Sequence, residues 1–96
     1  MGIGELIRRK RGVILRIAEA HGASNVRVFG SAARGDAGPN SDLDLLVDMA
    51  PGRSYLDLVG LWQELEEILG RRVDVLSEGG LSPHLRDRII AEARPL

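Results

Sequence analysis

The chain has 96 residues, which is enough for one modest hydrophobic core, and its 44% apolar and 28% charged composition is that of a folded globular protein rather than a disordered one. Its 14 acidic and 13 basic residues nearly cancel, which excludes a strong overall attraction to nucleic acid or to anionic membranes. The absence of cysteine excludes disulfides and thiolate sites, and the absence of a long apolar run argues against a signal or a membrane span, so we expect one cytoplasmic domain over residues 1–96.

The first predicted element is an amphipathic helix that ends near Gly22. Apolar residues recur at intervals of three and four between Ile3 and Ala18, which is the pattern of a helix with one buried stripe. Its other faces carry a basic run, which we interpret as a solvated surface: Arg8, Arg9, Lys10, Arg11 and Arg16.

The next segments predict a strand, a short helix and a second strand. Residues 25–30, NVRVFG, alternate as a strand does, and SAARGDA follows as a short helix with Ser31 as its N-cap. After the turn residues GPNS, the stretch DLDLLVDM is a second strand. Its alternation places one set of side chains in the core, Leu43, Leu45 and Val47, and the other set on the opposite face, Asp42, Asp44 and Leu46.

The second half of the chain predicts helix, strand and helix. Ser54 and Asp57 have the spacing of a capping box. The helix they begin has one predicted buried face, formed by Tyr55, Leu58, Val59, Trp62, Leu65 and Leu69. RRVDVLS is a third strand with Asp74 directed away from the core, and PHLRDRIIAEA is a final helix. The predicted fold class is therefore α/β (α+β), a small mixed three-stranded sheet flanked by helices.

Three aspartates are the candidate catalytic residues. Asp42 and Asp44, at positions i and i+2 of one strand, project from the same face, and Asp74 joins them if its strand is a neighbour. Clustered carboxylates repel one another, and divalent metal is the natural counter-charge because Mg²⁺ prefers hard oxygen ligands shared with substrate phosphates. We expect two Mg²⁺ ions, as in two-metal catalysis of displacement at phosphorus.

The segment just upstream is the candidate nucleotide-binding element. Gly30 lets a phosphate approach the backbone, Ser31 offers a hydroxyl at a helix start, and Arg34 could add a charged fork one turn later. Read separately, Gly30 and Ser31 could equally be a strand exit and a cap.

The pattern Gly30, Ser31, ten residues, Asp42, one residue, Asp44, with Asp74 on a later strand, resembles the signature of the polymerase β-type nucleotidyltransferase superfamily. The likeness is closest to minimal nucleotidyltransferases of the MntA antitoxin type, and it extends over nearly the whole chain. It implies a polymerase β-like fold, with Gly30 and Ser31 on the triphosphate and metal held by Asp42, Asp44 and Asp74. Many relatives have arginine two residues after the glycine, where this chain has Ala32.

The resemblance also implies a reaction and a partner. AMP would pass from the substrate ATP to a hydroxyl, expected to be a tyrosine, of a helical HEPN-domain toxin of the HepT type, silencing it within a hetero-oligomer. Two alternatives stay open: an antitoxin of weak catalytic power that acts by binding alone, and a small-molecule nucleotidyltransferase of the aminoglycoside type. No membrane association and no strong nucleic-acid binding are expected, since no segment offers a basic groove for a template.

Overall fold

The computed structural model describes residues 2–38 and 40–96. Within these ranges the helices are α1 (Ile3–Ala20), α2 (Ser31–Arg34), α3 (Tyr55–Leu69) and α4 (Pro83–Glu92). The strands are β1 (Ala23–Phe29), β2 (Leu43–Met49), β3 (Val73–Ser77) and β4 (Arg94–Pro95), and a short 3-10 turn covers Glu78–Gly80. The predicted α/β class is confirmed. None of the helices in these ranges is long and apolar enough to cross a membrane.

The strands form one mixed sheet in the order β3-β2-β1-β4. Strands β2 and β3 are parallel, connected through α3, whereas β1 pairs antiparallel with both β2 and β4. The sheet thus has one strand more than the three predicted. Strand β4 has only two residues, one of them Pro95, and so short a segment carries no alternation that sequence reasoning could detect.

The main core lies between one face of the sheet and the helices α1 and α3. The inward side chains of β2 are the predicted ones, Leu43, Leu45 and Val47, each almost fully buried, and β3 adds Val73 and Val75. Leu46, on the other face, is also fully buried but lies outside this main cluster. The alternation in β2 therefore directs Leu43, Leu45 and Val47 into the main core and Asp44 to the opposite face.

Helix α3 begins as predicted, but the face that it presents to the core is rotated from the predicted one. The backbone N–H of Ser54 donates to Asp57 Oδ2 at 2.8 Å, completing the capping box. The predicted burial of Tyr55 and Trp62 is wrong, since their side chains are 71% and 37% exposed. Leu65 and Leu69 are buried as predicted, and Leu61 completes the buried stripe in place of Tyr55 and Trp62. Leu61 and Trp62 both fit a helical period with Leu65 and Leu69, so spacing alone could not choose between them.

Candidate active site

The three predicted aspartates lie at one end of the sheet, on the face opposite the main core. Asp44 and Asp74 are directly paired in the parallel ladder of β2 and β3, so their side chains leave neighbouring strands in the same direction, with the strands about 4.8 Å apart. Asp42 precedes Asp44 by two residues, just outside β2, and lies close enough for its charge to act on Asp44. The fold therefore brings together all three carboxylates that the sequence singled out.

Asp44 is electrostatically the most perturbed of these groups. Its pKa is raised from 3.8 to about 6, first by burial and then by the negative charges of Asp74 and Asp42. Glu92 also raises it, while the guanidinium of Arg34 acts in the opposite direction. Ionising Asp44 beside its neighbours is therefore costly, and a bound cation would offset that cost.

The donor set fits magnesium. Carboxylate oxygens are the hard ligands that Mg²⁺ prefers, and Asp42, Asp44 and Asp74 supply them from one face of the sheet. In the part of the chain that the structure describes, no three acidic or histidine side chains already form a metal-binding group. A magnesium site at these three aspartates therefore stays a prediction.

Gly30 is tightly constrained by Asp44. Its backbone has φ +70° and ψ −150°, a conformation available essentially to glycine alone. A β-carbon at this position would also collide with Asp44 Oδ2 and lie 3.1 Å from Asp44 Cγ. The sequence assigned Gly30 to phosphate approach, and the structure adds that this glycine makes room for the carboxylate of Asp44.

Ser31 is the first residue of α2 and not its N-cap, which corrects the sequence-based prediction. Gly30 occupies the cap position, because its carbonyl accepts the first helical hydrogen bond, from the N–H of Arg34 at 3.1 Å. Helix α2 has only four residues, so its peptide dipoles provide little charge at its start. A contact between Ser31 and a triphosphate stays a prediction, supported by the position of Ser31 beside Gly30.

Arg34, the third predicted nucleotide-binding residue, is held by two carboxylates. Its Nε donates to Asp36 Oδ2 at 3.2 Å, and NH1 donates to Glu92 Oε1. These contacts, the Asp36 hydrogen bond first, raise the pKa of Arg34 further above its usual range. Ala32 packs at the edge of the core, so Arg34 is the cation that α2 contributes.

Sequence reasoning missed two features beside the aspartates. Glu92 is 58 residues away from Arg34 in the chain, and no motif linked the two. The second is a cleft of about 350 Å³ next to Asp42, lined by Asn40, Ser41, Asp42, Gly70, Arg71 and Arg72. Its volume lies within the range of small-molecule sites, and its two arginines suit an anionic ligand.

Asp48, on the same nominal face, is not part of this site. It accepts from Arg27 at 2.9 Å and from Asn25 at 3.0 Å, so its charge serves the structure of the β1–β2 pair. Asp48 also lies about 13 Å along the strand from Asp44, since a strand rises about 3.3 Å per residue.

A small mixed sheet with paired aspartates on adjacent strands, facing a Gly-Ser turn, is the arrangement expected of a nucleotidyl-transfer enzyme. The family model described as a nucleotidyltransferase domain matches residues 10–96. The chain belongs to this nucleotidyltransferase family.

Individual relatives are named more narrowly. A Methanocaldococcus jannaschii protein, named provisionally as a protein adenylyltransferase, is 44% identical over 93 residues, covering 97% of this chain and 96% of its own length. The protein adenylyltransferase MntA of Thermococcus cleftensis is 36% identical over 76 residues, covering 79% of this chain and 77% of its own.

Solved structures agree with the fold. A structure described provisionally as a minimal nucleotidyltransferase superposes with TM-score 0.85 and 51% identity, covering 96% of this chain and 94% of its own. A toxin–antitoxin structure with AMP-PNP superposes with TM-score 0.76 at 22% identity, covering 88% of this chain and 69% of its own. At that identity the second match establishes the shared fold.

Proposed function

We propose that this protein is a single-domain, metal-dependent protein adenylyltransferase that transfers AMP from ATP to a tyrosine hydroxyl of a HEPN-domain toxin and thereby acts as its antitoxin. The observation that carries the proposal is the pairing of Asp44 with Asp74 on parallel neighbouring strands, with Gly30 shaped around the Asp44 carboxylate. The names of the relatives favour protein as the acceptor and AMP as the group transferred.

Each predicted residue has a role in this reaction. Asp42, Asp44 and Asp74 would hold two Mg²⁺ ions, which would supply charge neutralisation at the phosphates and a lower pKa for the acceptor hydroxyl. Gly30 and Ser31 would contact the triphosphate, and Arg34 would pair with its oxygens. The tyrosine hydroxyl loses its proton to solvent and its oxygen forms a bond to the α-phosphorus. The bond from the α-phosphorus to the oxygen of the β-phosphate breaks, and pyrophosphate leaves with that oxygen.

The acceptor is proposed to come from a partner in a hetero-oligomer. Several structures that share this fold are toxin–antitoxin complexes, one of them with an ATP analogue. Because the reaction consumes ATP, we place it in the cytoplasm.

The test is transfer of label from α-³²P-ATP to the partner toxin in the presence of Mg²⁺. Asp44→Asn and Asp74→Asn should each reduce labelling by roughly 100-fold, the scale expected when a charge-stabilising group is lost from an active site. Asp87→Asn is the matched control, because Asp87 is exposed on α4 and makes no polar contact within the described residues. An unlabelled partner that nevertheless binds the wild-type protein would contradict the proposal, as would full activity of Asp44→Asn.

A second candidate is an antitoxin that neutralises its partner by binding alone. It is favoured by Ala32, which replaces an expected cation, and by the engagement of Arg34 with Asp36 and Glu92. The double variant Asp42→Asn, Asp44→Asn decides between the two: protection of cells from the toxin would support binding alone, and loss of protection with intact complex formation would support catalysis.

A further inference from the structure

Glu92 projects from the end of α4 into the proposed nucleotide site. Its Oε1 accepts from Arg34 NH1, and its side chain is only 19% exposed, while that of Arg34 is 49% exposed. Glu92 also lies close enough to Asp44 for its charge to act on that carboxylate. A fourth carboxylate therefore faces the space where the phosphates of a nucleotide would meet Arg34.

The position of Glu92 is fixed by the C-terminal residues that follow it. Strand β4 pairs with β1 through Val28 with Arg94 and Arg27 with Pro95, and the N–H of Leu96 donates to the carbonyl of Val26 at 3.1 Å. Arg11 Nε in turn donates to the carbonyl oxygen of Leu96 at 2.8 Å. Since β1 leads directly into Gly30, the same strand positions both the predicted phosphate turn and Glu92.

We propose that Glu92 competes with the nucleotide phosphates for the guanidinium of Arg34 and so sets the affinity of the enzyme for its nucleotide. The inference rests on the proposed function, which places a triphosphate at Gly30, Ser31 and Arg34. Arginine offers the same planar fork of donors to a carboxylate and to a phosphate, and the donor that Glu92 occupies is unavailable to the nucleotide. The negative charge of Glu92 also repels the triphosphate, so both effects act in one direction.

Competition has a consequence for the C-terminus. When phosphates engage Arg34, Glu92 is released, and the contacts that hold residues 92–96 against β1 lose one of their anchors. Nucleotide binding should therefore weaken the contacts of the C-terminal strand β4. Asp36, the other partner of Arg34, lies two residues away in the chain and can keep its bond to Nε, which leaves NH1 for the phosphate.

The first experiment measures ATP affinity by calorimetry in EDTA, so that any effect of Glu92 on metal binding is removed. Glu92→Gln should bind ATP roughly three- to tenfold more tightly than the wild type, the scale of one surface ion pair plus the loss of a repulsive charge. Glu92→Asp, which keeps the charge, should bind nearly as the wild type does. Glu67→Gln, at an exposed acidic position of α3, controls for net charge and should leave the affinity unchanged.

The second experiment asks whether the effect passes through Arg34. In an Arg34→Gln background, the gain in ATP affinity caused by Glu92→Gln should fall to less than half of its value in the wild-type background, because the guanidinium for which Glu92 and the phosphates compete is absent. Equal or weaker ATP binding by Glu92→Gln in the wild-type background would overturn the inference, since it would mean that Glu92 orients Arg34 or serves only the fold. An undiminished gain without Arg34 would also overturn it.

A third measurement uses the unmodified protein and does not depend on a variant folding. Tripolyphosphate is titrated while the Arg34 Nε–H and the backbone amides of residues 92–96 are followed by NMR. The inference expects both sets of signals to shift with one binding constant, whereas a shift of Arg34 with no change at 92–96 would refute it. If the wild type binds ATP neither with nor without Mg²⁺, the proposed function and this inference both fail; if it binds ATP and Glu92→Gln has no effect, only this inference fails.

Discussion

Asp44→Asn should make the metal-free protein more stable while it reduces the proposed nucleotidyl transfer roughly 100-fold. Folding raises the pKa of Asp44 from 3.8 to about 6, first through burial and then through repulsion by Asp74 and Asp42. A difference of that size corresponds to about 3 kcal/mol, and screening by solvent around this partly exposed group reduces it to about 1 to 2 kcal/mol. Asparagine keeps the shape of the side chain and removes the charge, so the free energy of unfolding of the variant should be higher by this amount.

The pH dependence of this effect follows from the raised pKa. Below about pH 3.8 the carboxyl is protonated in both folded and unfolded chains, and Asp44 contributes no penalty. Between pH 3.8 and about 6 the folded state retains a proton that the unfolded state has lost, so the stability of the wild type falls as pH rises. Above pH 6 the penalty is complete. The variant and the wild type should therefore differ most near neutral pH and least near pH 3.5.

Thermal unfolding in EDTA at several pH values tests this reasoning. In a domain of this size, 1 kcal/mol corresponds to about 4 to 8 °C in Tm, so at pH 7 the variant should melt at a higher temperature by at least about 4 °C. Asp87→Asn should melt with the wild type. Added Mg²⁺ should raise the Tm of the wild type and affect Asp44→Asn much less, because ligands stabilise the state that binds them. A variant that melts at or below the wild-type temperature at pH 7 would show that Asp44 is not under electrostatic strain.

Three further outcomes are expected. Gly30→Ala should lose about 1 to 3 kcal/mol of stability from its backbone conformation alone, together with most ATP binding; an unchanged Tm would contradict the geometry. Arg27→Met should lose about 1 to 2 kcal/mol, because it leaves Asp48 and Glu78 facing each other without their shared cation, and adding Asp48→Asn should restore part of this in denaturant melts. Asp57→Ala should increase hydrogen exchange in the first turn of α3 at pH 7 and have less effect in acid. The reason is that the N-cap backbone N–H holds the pKa of the Asp57 carboxyl below its usual range. An equal ratio of variant to wild-type exchange rates at both pH values would argue against the cap.

The sequence predicted those parts of the fold in which a local residue pattern is compatible with only one structure. In β2, the alternation at the start of the strand places Leu43 and Leu45 in the core and directs Asp44 to the other face. The Ser54–Asp57 spacing identified the start of α3 for the same reason, since the capping box satisfies two backbone donors at once. The pairing of Asp44 with Asp74 needed only the additional expectation that their strands are neighbours.

The sequence did not predict features that depend on distant contacts. The rotation of α3 is decided by what its leucines meet on the sheet, and the helical period is compatible with burial of either Trp62 or Leu61. Glu92 reaches Arg34 only because a two-residue strand returns the C-terminus to β1, and such a strand leaves no periodic trace. Gly30 and not Ser31 holds the cap position, because the carbonyl of Gly30 accepts the first hydrogen bond of α2.

The close approach of the Gly30 backbone to Asp44 limits the rotamers that this aspartate can adopt. A side chain that is already confined would lose little conformational entropy on coordinating the proposed metal ion, so part of the entropic cost of metal binding would be met when the chain folds. The same close contact couples positions 30 and 44 sterically. A longer acid at position 44 would need the turn at position 30 to withdraw, and a larger residue at position 30 would displace the acid, so the two positions can change only in concert.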